Sequence, residues 1–300
     1  MPLSADFAPV VVFCYNRPNH LRQTIEALKL NTIASQSRLI IFSDGAKNAR
    51  DEINVKEIRS YIHTIDGFLV KEIFESQNNK GLAASVIEGV SNVVASYKKV
   101  IVLEDDMVCT PDFLSFMNEA LASYESRLDI FSVTGYAPPV LIPENYKNDL
   151  FLAPRASSWG WATWQNRWEK ADWDVKNFKE ILKESSLRKK ITQGGEDLWP
   201  MLVKQQRGII NSWAVRWTVS QSLNDAYGVY PVISKIKNIG TDGSGTNFTF
   251  GTTYYNSELN TKKINIDPDL KPDQSVIKSF NHYYRLPLLL KIKNWFKYKI

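Results

Sequence analysis

Val100-Ile101-Val102-Leu103-Glu104-Asp105-Asp106 sets the reading of the whole chain. Four apolar, mostly β-branched residues predict a strand buried on both faces. Three carboxylates follow, with no basic residue after them until Arg127, and Met107-Val108 resumes the apolar character. Desolvating unpaired carboxylates is costly, so such a cluster at the edge of a core calls for a partner. A divalent cation carrying a phosphate-bearing ligand is one. A solvated acidic turn is the plainer alternative, because Thr110-Pro111-Asp112 reads as an N-cap followed by Pro at N1.

Working outward, Val10-Val11-Val12-Phe13-Cys14-Tyr15 is another continuous apolar run, broken by Asn16-Arg17-Pro18. Leu39-Ile40-Ile41-Phe42 ends at Ser43-Asp44-Gly45, and Phe68 to Phe74 reads as a third strand. Helical patterns lie between them, with Leu21, Ile25 and Leu28 on one face of the first. Apolar runs recurring about every 30 residues with helices between them predict βαβ units and a parallel sheet. Ligands of such sheets bind beyond the carboxyl ends of the strands. Those ends carry Arg17, Asp44 and the Glu104-Asp105-Asp106 run, a set suited to a nucleoside diphosphate and its metal. No G-x-G-x-x-G follows the first strand and no G-x-x-x-x-G-K-[ST] occurs, which argues against dehydrogenases and P-loop enzymes.

Composition narrows the class further. The chain has 300 residues, 44% of them hydrophobic and 23% charged, which is ordinary for a globular protein with a sizeable core. Cys14 and Cys109 make no disulfide framework and no zinc spacing, so a reducing compartment is expected. No basic leader with an apolar stretch opens the sequence, and no run approaches the ~20 apolar residues of a membrane span. The charge is lopsided. From Gln274 onward there are six basic residues and no acidic ones, whereas the chain as a whole carries +5. The body is therefore close to neutral, and binding to nucleic acid is not expected.

The second half is rich in tryptophan, eight of the nine lying between Trp159 and Trp217. Most are expected in the core; Trp159 and Trp161, around Gly160, are the candidates for the wall of a sugar pocket. Gly194-Gly195-Glu196-Asp197 sets two acids after a glycine pair at a helix start. Asp197 reads either as a helix-terminal charge or as a general base, since one of two adjacent acids beside aromatics can have a raised pKa. Gly240-Thr241-Asp242-Gly243-Ser244-Gly245 reads either as a surface turn or as a lid that closes on a ligand. Residues 286–300 mix Leu, Trp, Phe and Lys in a helical pattern. That suits an interfacial helix on an anionic membrane, or packing against the body.

Taken in order, these features resemble the GT-A fold glycosyltransferases that use nucleotide-sugar donors, in particular the N-acetylglucosaminyltransferase I type in a bacterial version. The likeness covers roughly residues 9–250 and rests on Tyr15-Asn16-Arg17, Ser43-Asp44-Gly45, Glu104-Asp105-Asp106 with Pro111-Asp112-Phe113 beyond it, Gly160-Trp161, Glu196-Asp197-Leu198-Trp199 and the Gly/Ser loop. It implies an α/β, Rossmann-like and mostly parallel sheet flanked by helices. One domain over residues 1–281 is expected, with a nucleotide-binding half at 9–135 and an acceptor half at 136–255, followed by a basic amphipathic tail at 282–300.

The resemblance also assigns roles. Asp106 would be the protein ligand of Mn²⁺ or Mg²⁺. Asp105 would face the ribose, Glu104 the ribose or donor sugar, Asp44 a uracil edge, and Arg17, Lys80 and Trp161 the rest of the nucleotide sugar. Asp197, with Glu196 beside it, would be the catalytic base, and Gly240, Gly243, Ser244 and Gly245 would form the lid. The sequence has Glu196-Asp197 where the family has paired aspartates, so Asp172 or Asp174 is an alternative base. The implied reaction is metal-dependent, inverting transfer of a hexosyl group from a UDP-sugar to a glycan or lipid-linked acceptor in surface-polysaccharide synthesis. The expected location is the cytoplasm, peripheral on the inner face of the membrane. A sugar-phosphate nucleotidyltransferase and a non-catalytic carbohydrate-binding protein are the rival classes.

Overall fold

The computed structural model describes residues 7–243 and 258–298. The first half alternates strand and helix: β1 (Val10–Cys14), α1 (Pro18–Lys29), β2 (Arg38–Ser43), α2 (Ala49–Thr64), β3 (Val70–Glu75), α3 (Leu82–Tyr97) and β4 (Lys99–Glu104). Then come β5 (Met107–Cys109), α4 (Phe113–Ser123), β6 (Ile130–Thr134), β7 (Leu150–Ala153) and β8 (Trp161–Trp164). A helical stretch follows, α5 (Gln165–Trp168), α6 (Phe178–Lys183), α7 (Ser185–Thr192), α8 (Leu198–Gln206) and α9 (Trp213–Leu223). The chain closes with β9 (Tyr227–Pro231), β10 (Ile236–Asn238), α10 (Gln274–Tyr283) and α11 (Leu288–Tyr298).

The main sheet has the order β3-β2-β1-β4-β8-β6-β9-β7. The βαβ units make β3, β2, β1 and β4 parallel neighbours, as the spacing of apolar runs predicts. β6 and β9 are parallel as well, while β8 runs antiparallel between β4 and β6 and β7 runs antiparallel at the edge. The expected α/β class with a mostly parallel central sheet is thus present. β1 shows why its run is uninterruptedly apolar. Val10, Val12 and Cys14 enter a core beneath α1, α2 and α4, whereas Val11 and Phe13 enter a second core beneath α3.

Most of the tryptophans belong to that second core. Trp161 and Trp217 have no exposed surface, and Trp161 stacks on Trp168 and Trp213 at ring distances of 5.5 and 5.0 Å. The expectation that Trp161 lines a sugar pocket is therefore corrected: its alternation along β8 points the indole into the core. Trp159 stays at the strand edge, half-buried against Tyr136.

The chain direction sets the site. From β1 the chain winds outward to β2 and β3, then returns to place β4 on the other side of β1. The carboxyl ends of β1 and β4 flank the crevice of such a switch point, where open α/β sheets bind ligands. A short antiparallel pair of β5 and β10 lies beyond β4, with Asn238 opposite Met107, and carries the 238–240 backbone onto Asp106.

Candidate active site at the carboxyl ends of β1 and β4

Two of the three carboxylates have a cationic partner, and it comes from the turn between β1 and α1. The Arg17 guanidinium bonds Asp105 and also reaches Asp106 Oδ2 at 2.9 Å. Asp105 further accepts the Tyr15 N–H at 3.3 Å, and its own carbonyl is held by the Thr24 hydroxyl at 2.8 Å. Asp105 is 3% exposed. The expectation that it faces a ribose gives way to a brace between the ends of β1 and β4. Arg17, expected on the nucleotide, is spent on the same brace.

Asp106 and Glu104 are differently placed. Asp106 meets the Asn238 side chain at 3.4 Å, and its backbone carbonyl accepts the Ile239 N–H at 2.8 Å. Glu104 has no hydrogen-bond donor among the described residues, and part of its side chain reaches solvent. Burial of its carboxyl, reinforced by the charges of Asp106 and Asp105, pushes its pKa up to about 8. Burial raises Asp105 too, although Arg17 opposes this. Burial works against the Arg17 charge, but Asp105 and Asp106 more than offset it and keep the guanidinium protonated. Three acids facing one arginine leave a surplus of negative charge at the crevice.

Gly240 closes over this cluster. A Cβ at that position would stand 2.2 Å from Asp106 Oδ2 and 2.7 Å from the Arg17 guanidinium, so only glycine lets the backbone approach this closely. Gly240 opens a short 3₁₀ turn through Asp242, and Gly243 adopts φ 96°. Asp242 reaches His20 of α1 at 3.2 Å. Of the expected lid, Ser244 and Gly245 lie outside the described residues.

Asp44 was expected to read a base edge. Its Oδ1 accepts the N–H groups of Gly45 and Lys80, and its Oδ2 accepts Gly81 N–H and the Asn79 amide, at 2.8 to 3.1 Å. A carboxylate has about four lone-pair sites, so no acceptor capacity remains for a base. Asp44 instead fixes the turn that starts α3. Lys80 lies on that turn with its ammonium on Glu88 at 2.7 and 2.8 Å. A groove of about 380 Å³ runs from Asp44 and Lys80 along α3 over Phe42 and Phe74, away from the carboxylates. Sequence reading missed Asp51, which accepts from the Tyr15 hydroxyl and the Asn16 amide, both at 2.8 Å, and so steadies the β1 end. Its place at the start of a polar helix gave no signal of that contact.

The second pair of acids splits in two directions. Asp197 forms a two-pronged pair with Arg155, Oδ1 at 2.8 Å and Oδ2 at 2.9 Å, and Arg155 lies over the Tyr284 ring at 4.0 Å. Burial alone would lower the Arg155 pKa; the Asp197 charge reverses that. Gly195, at φ 134°, makes the contact possible, since a Cβ there would stand 2.6 Å from Asp197 Oδ1. Arg155 lies on the segment that leads into β8, whose first residue Trp161 pairs with Val102 near the carboxyl end of β4. Glu196 turns the other way, toward the tail. It accepts Leu286 N–H at 3.1 Å and holds Lys291 at 2.6 Å. The expectation that Glu196 joins the base is corrected accordingly: its carboxylate is occupied by residues 285–291. Of the alternative bases, Asp172 accepts the backbone N–H groups of Asp174 and Lys176, bracing a turn, and Asp174 is exposed.

Among the described residues no group of three or more His, Cys, Asp or Glu converges as a metal cage. The crevice nonetheless fits a cation bound through one or two carboxylates plus ligand phosphates, a habit of Mg²⁺, because its negative charge is incompletely matched. Residues 10–183, more than half of the chain, match the model of the glycosyl transferase family 2. Similar solved structures include the mannosyltransferase PcManGT from Pyrobaculum calidifontis in complex with GDP-Man and Mn²⁺, at 12% identity and TM-score 0.39 over 55% of this chain and 47% of that one. TarS from S. aureus gives 12% identity and TM-score 0.38 over 75% of this chain and 37% of its own. An active-site mutant of LgtC gives 11% identity and TM-score 0.40 over 74% of this chain and 72% of its own. This chain thus spans about half of the first and less than two fifths of the second. With residues 10–183 matched to that family model, the chain belongs to glycosyl transferase family 2.

Proposed function

We propose that this protein transfers a hexosyl group from a nucleoside-diphosphate donor, a UDP-sugar, to a hydroxyl of a glycan or lipid-linked acceptor, inverting the anomeric carbon, as in the N-acetylglucosaminyltransferase I type. The observation that carries this reading is the carboxylate surplus at the switch point between β1 and β4. Asp106 would hold Mn²⁺ or Mg²⁺, which when bound acts as a Lewis acid toward the leaving diphosphate. Glu104, with acceptor capacity to spare, takes a hydroxyl of the ribose or donor sugar. Arg17, engaged with Asp105 and Asp106, holds both carboxylates in place at the crevice.

Asp197 is the base. Arg155 uses one lone-pair site on each of its oxygens, so each oxygen keeps another for the acceptor hydroxyl. The two-pronged pair also fixes the orientation of the carboxylate. Asp172, spent on a turn, is the weaker alternative. Gly240, resting on Asp106 and Arg17, closes the described edge of the crevice beside the metal ligand.

A thermal-shift series of nucleotide sugars with and without Mn²⁺ tests the reading. A true donor at a hundredfold excess over its Kd stabilises by about 2.7 kcal/mol, and only with the metal present. A shift with sugar phosphates and nucleoside triphosphates, accompanied by pyrophosphate release, overturns it in favour of nucleotidyl transfer. Binding of glycans indifferent to nucleotide and metal overturns it in favour of a carbohydrate-binding module.

A further inference from the structure

The body-facing stripe of α11 is polar. Along Leu288–Tyr298 the residues that are not exposed are Lys291, Asn294 and Tyr298, spaced three and four apart. Lys291 is held by Glu196, and Tyr298 faces Lys204 of α8 at 5.0 Å. At 100° per residue, Leu288, Leu289, Ile292, Trp295 and Phe296 fall within an arc of about 120° that looks outward. Their exposures run from 44% for Ile292 to 80% for Leu289. Lys293 and Lys297 border this arc on one side and are exposed. The usual arrangement of a surface helix, apolar inside and polar outside, is inverted. Exposed apolar patches of this kind mark interaction surfaces.

The charge around the arc selects the occupant. Residues 274–300 hold six basic side chains and no acid, which disfavours self-association and favours an anionic surface. Trp295 within a short apolar and lysine-bordered helix suits the headgroup boundary of a bilayer. Among the described residues no helix is long and apolar enough to cross a membrane.

We propose that α11 seats the protein on an anionic lipid surface, with Glu196 as the latch that fixes the helix to the body. Burial would raise the Glu196 pKa, but Lys291, the Leu286 N–H and Arg285 prevail and lower it, so the latch stays closed at neutral pH. Glu196 adjoins Asp197, and Tyr284 of the same tail lies on Arg155. A bilayer engaged by α11 therefore lies on the side of the candidate base. Resting on the transferase reading above, this makes a lipid-linked acceptor the fitting substrate class.

Flotation of the full chain with vesicles tests the proposal. Vesicles of phosphatidylcholine with about a third phosphatidylglycerol should carry the protein, and phosphatidylcholine alone should carry much less. Lys293→Glu and Lys297→Glu should each weaken binding by at least about fivefold. Leu289→Glu with Phe296→Glu should abolish it while leaving the donor thermal shift in lipid-free buffer unchanged. Glu196→Gln should loosen the tail, read as faster proteolysis within 285–298. Absence of flotation, or a concentration-dependent dimer removed by Leu289→Glu with Phe296→Glu, overturns the proposal. The lipid-free thermal shift reports on donor binding by itself, so failure of the membrane seat and failure of the transferase reading are separable.

Discussion

The chain carries two acidic clusters of similar composition that behave in opposite ways. Among the described residues Glu104-Asp105-Asp106 meets a single cation, Arg17, and two of its carboxyls are pushed toward protonation. Glu196-Asp197 meets Arg155, Arg285 and Lys291, so every carboxyl there has a cation of its own. One cluster has charge left over for a metal and a diphosphate. The other has its charges matched, which orients Asp197 and ties down the tail. Acids at the end of a strand or at the start of a helix do not announce their chemistry; the count of cations that converge on them does.

The contrast is broken most severely at Asp106. Asp106→Ala should abolish sugar transfer and the metal-dependent thermal shift, with the circular dichroism spectrum unchanged, and removal of the metal by a chelator should do the same to the parent protein. Asp197→Asn should cost about 10²–10⁴-fold in turnover while the donor shift survives. Turnover close to that of the parent would transfer the role to Asp172 or Asp174. Gly240→Ala should push the backbone off Asp106 and Arg17, lowering stability by roughly 1–3 kcal/mol in denaturant titrations and weakening the metal-dependent shift.

The smallest effect concerns pH. Glu104 has a folded pKa of about 8, above the ordinary 4.5, so the folded state holds a proton that the unfolded state releases between those values. Stability of the metal-free protein should therefore fall as pH rises through that window. Glu104→Gln should relieve the penalty, raising Tm more at pH 8 than at pH 5. An equal change at both pH values would mean that the Glu104 carboxyl is solvated, and the contrast between the clusters would shrink.

Much of the fold was legible because its first half is local. The runs at Val10, Leu39, Phe68 and Val100 each needed only neighbours in sequence to declare a strand, and the spacing of about 30 residues declared the helices between them. The second half was less legible. β8 enters the sheet antiparallel between β4 and β6, and its alternation, which buries Trp161, depends on a register that no local pattern states. The candidate site divides in the same way. The identity of the acids was plain, whereas the partners of Asp105, Asp44 and Glu196 stand 88, 36 and 90 positions away.

The sequence by itself determined that an α/β sheet would deliver Arg17, Asp44 and Glu104-Asp105-Asp106 to its carboxyl edge. Strand periodicity and the direction of a parallel crossover leave little freedom there. Tertiary structure alone decided which carboxylate is spent as a brace and which is left for a ligand. That choice rests on who donates to each oxygen, and donors arrive from elements far apart in the chain. It also decided that α11 would turn Lys291, Asn294 and Tyr298 to the body and Leu288 and Leu289 outward, because Glu196 and Lys204 meet that polar stripe.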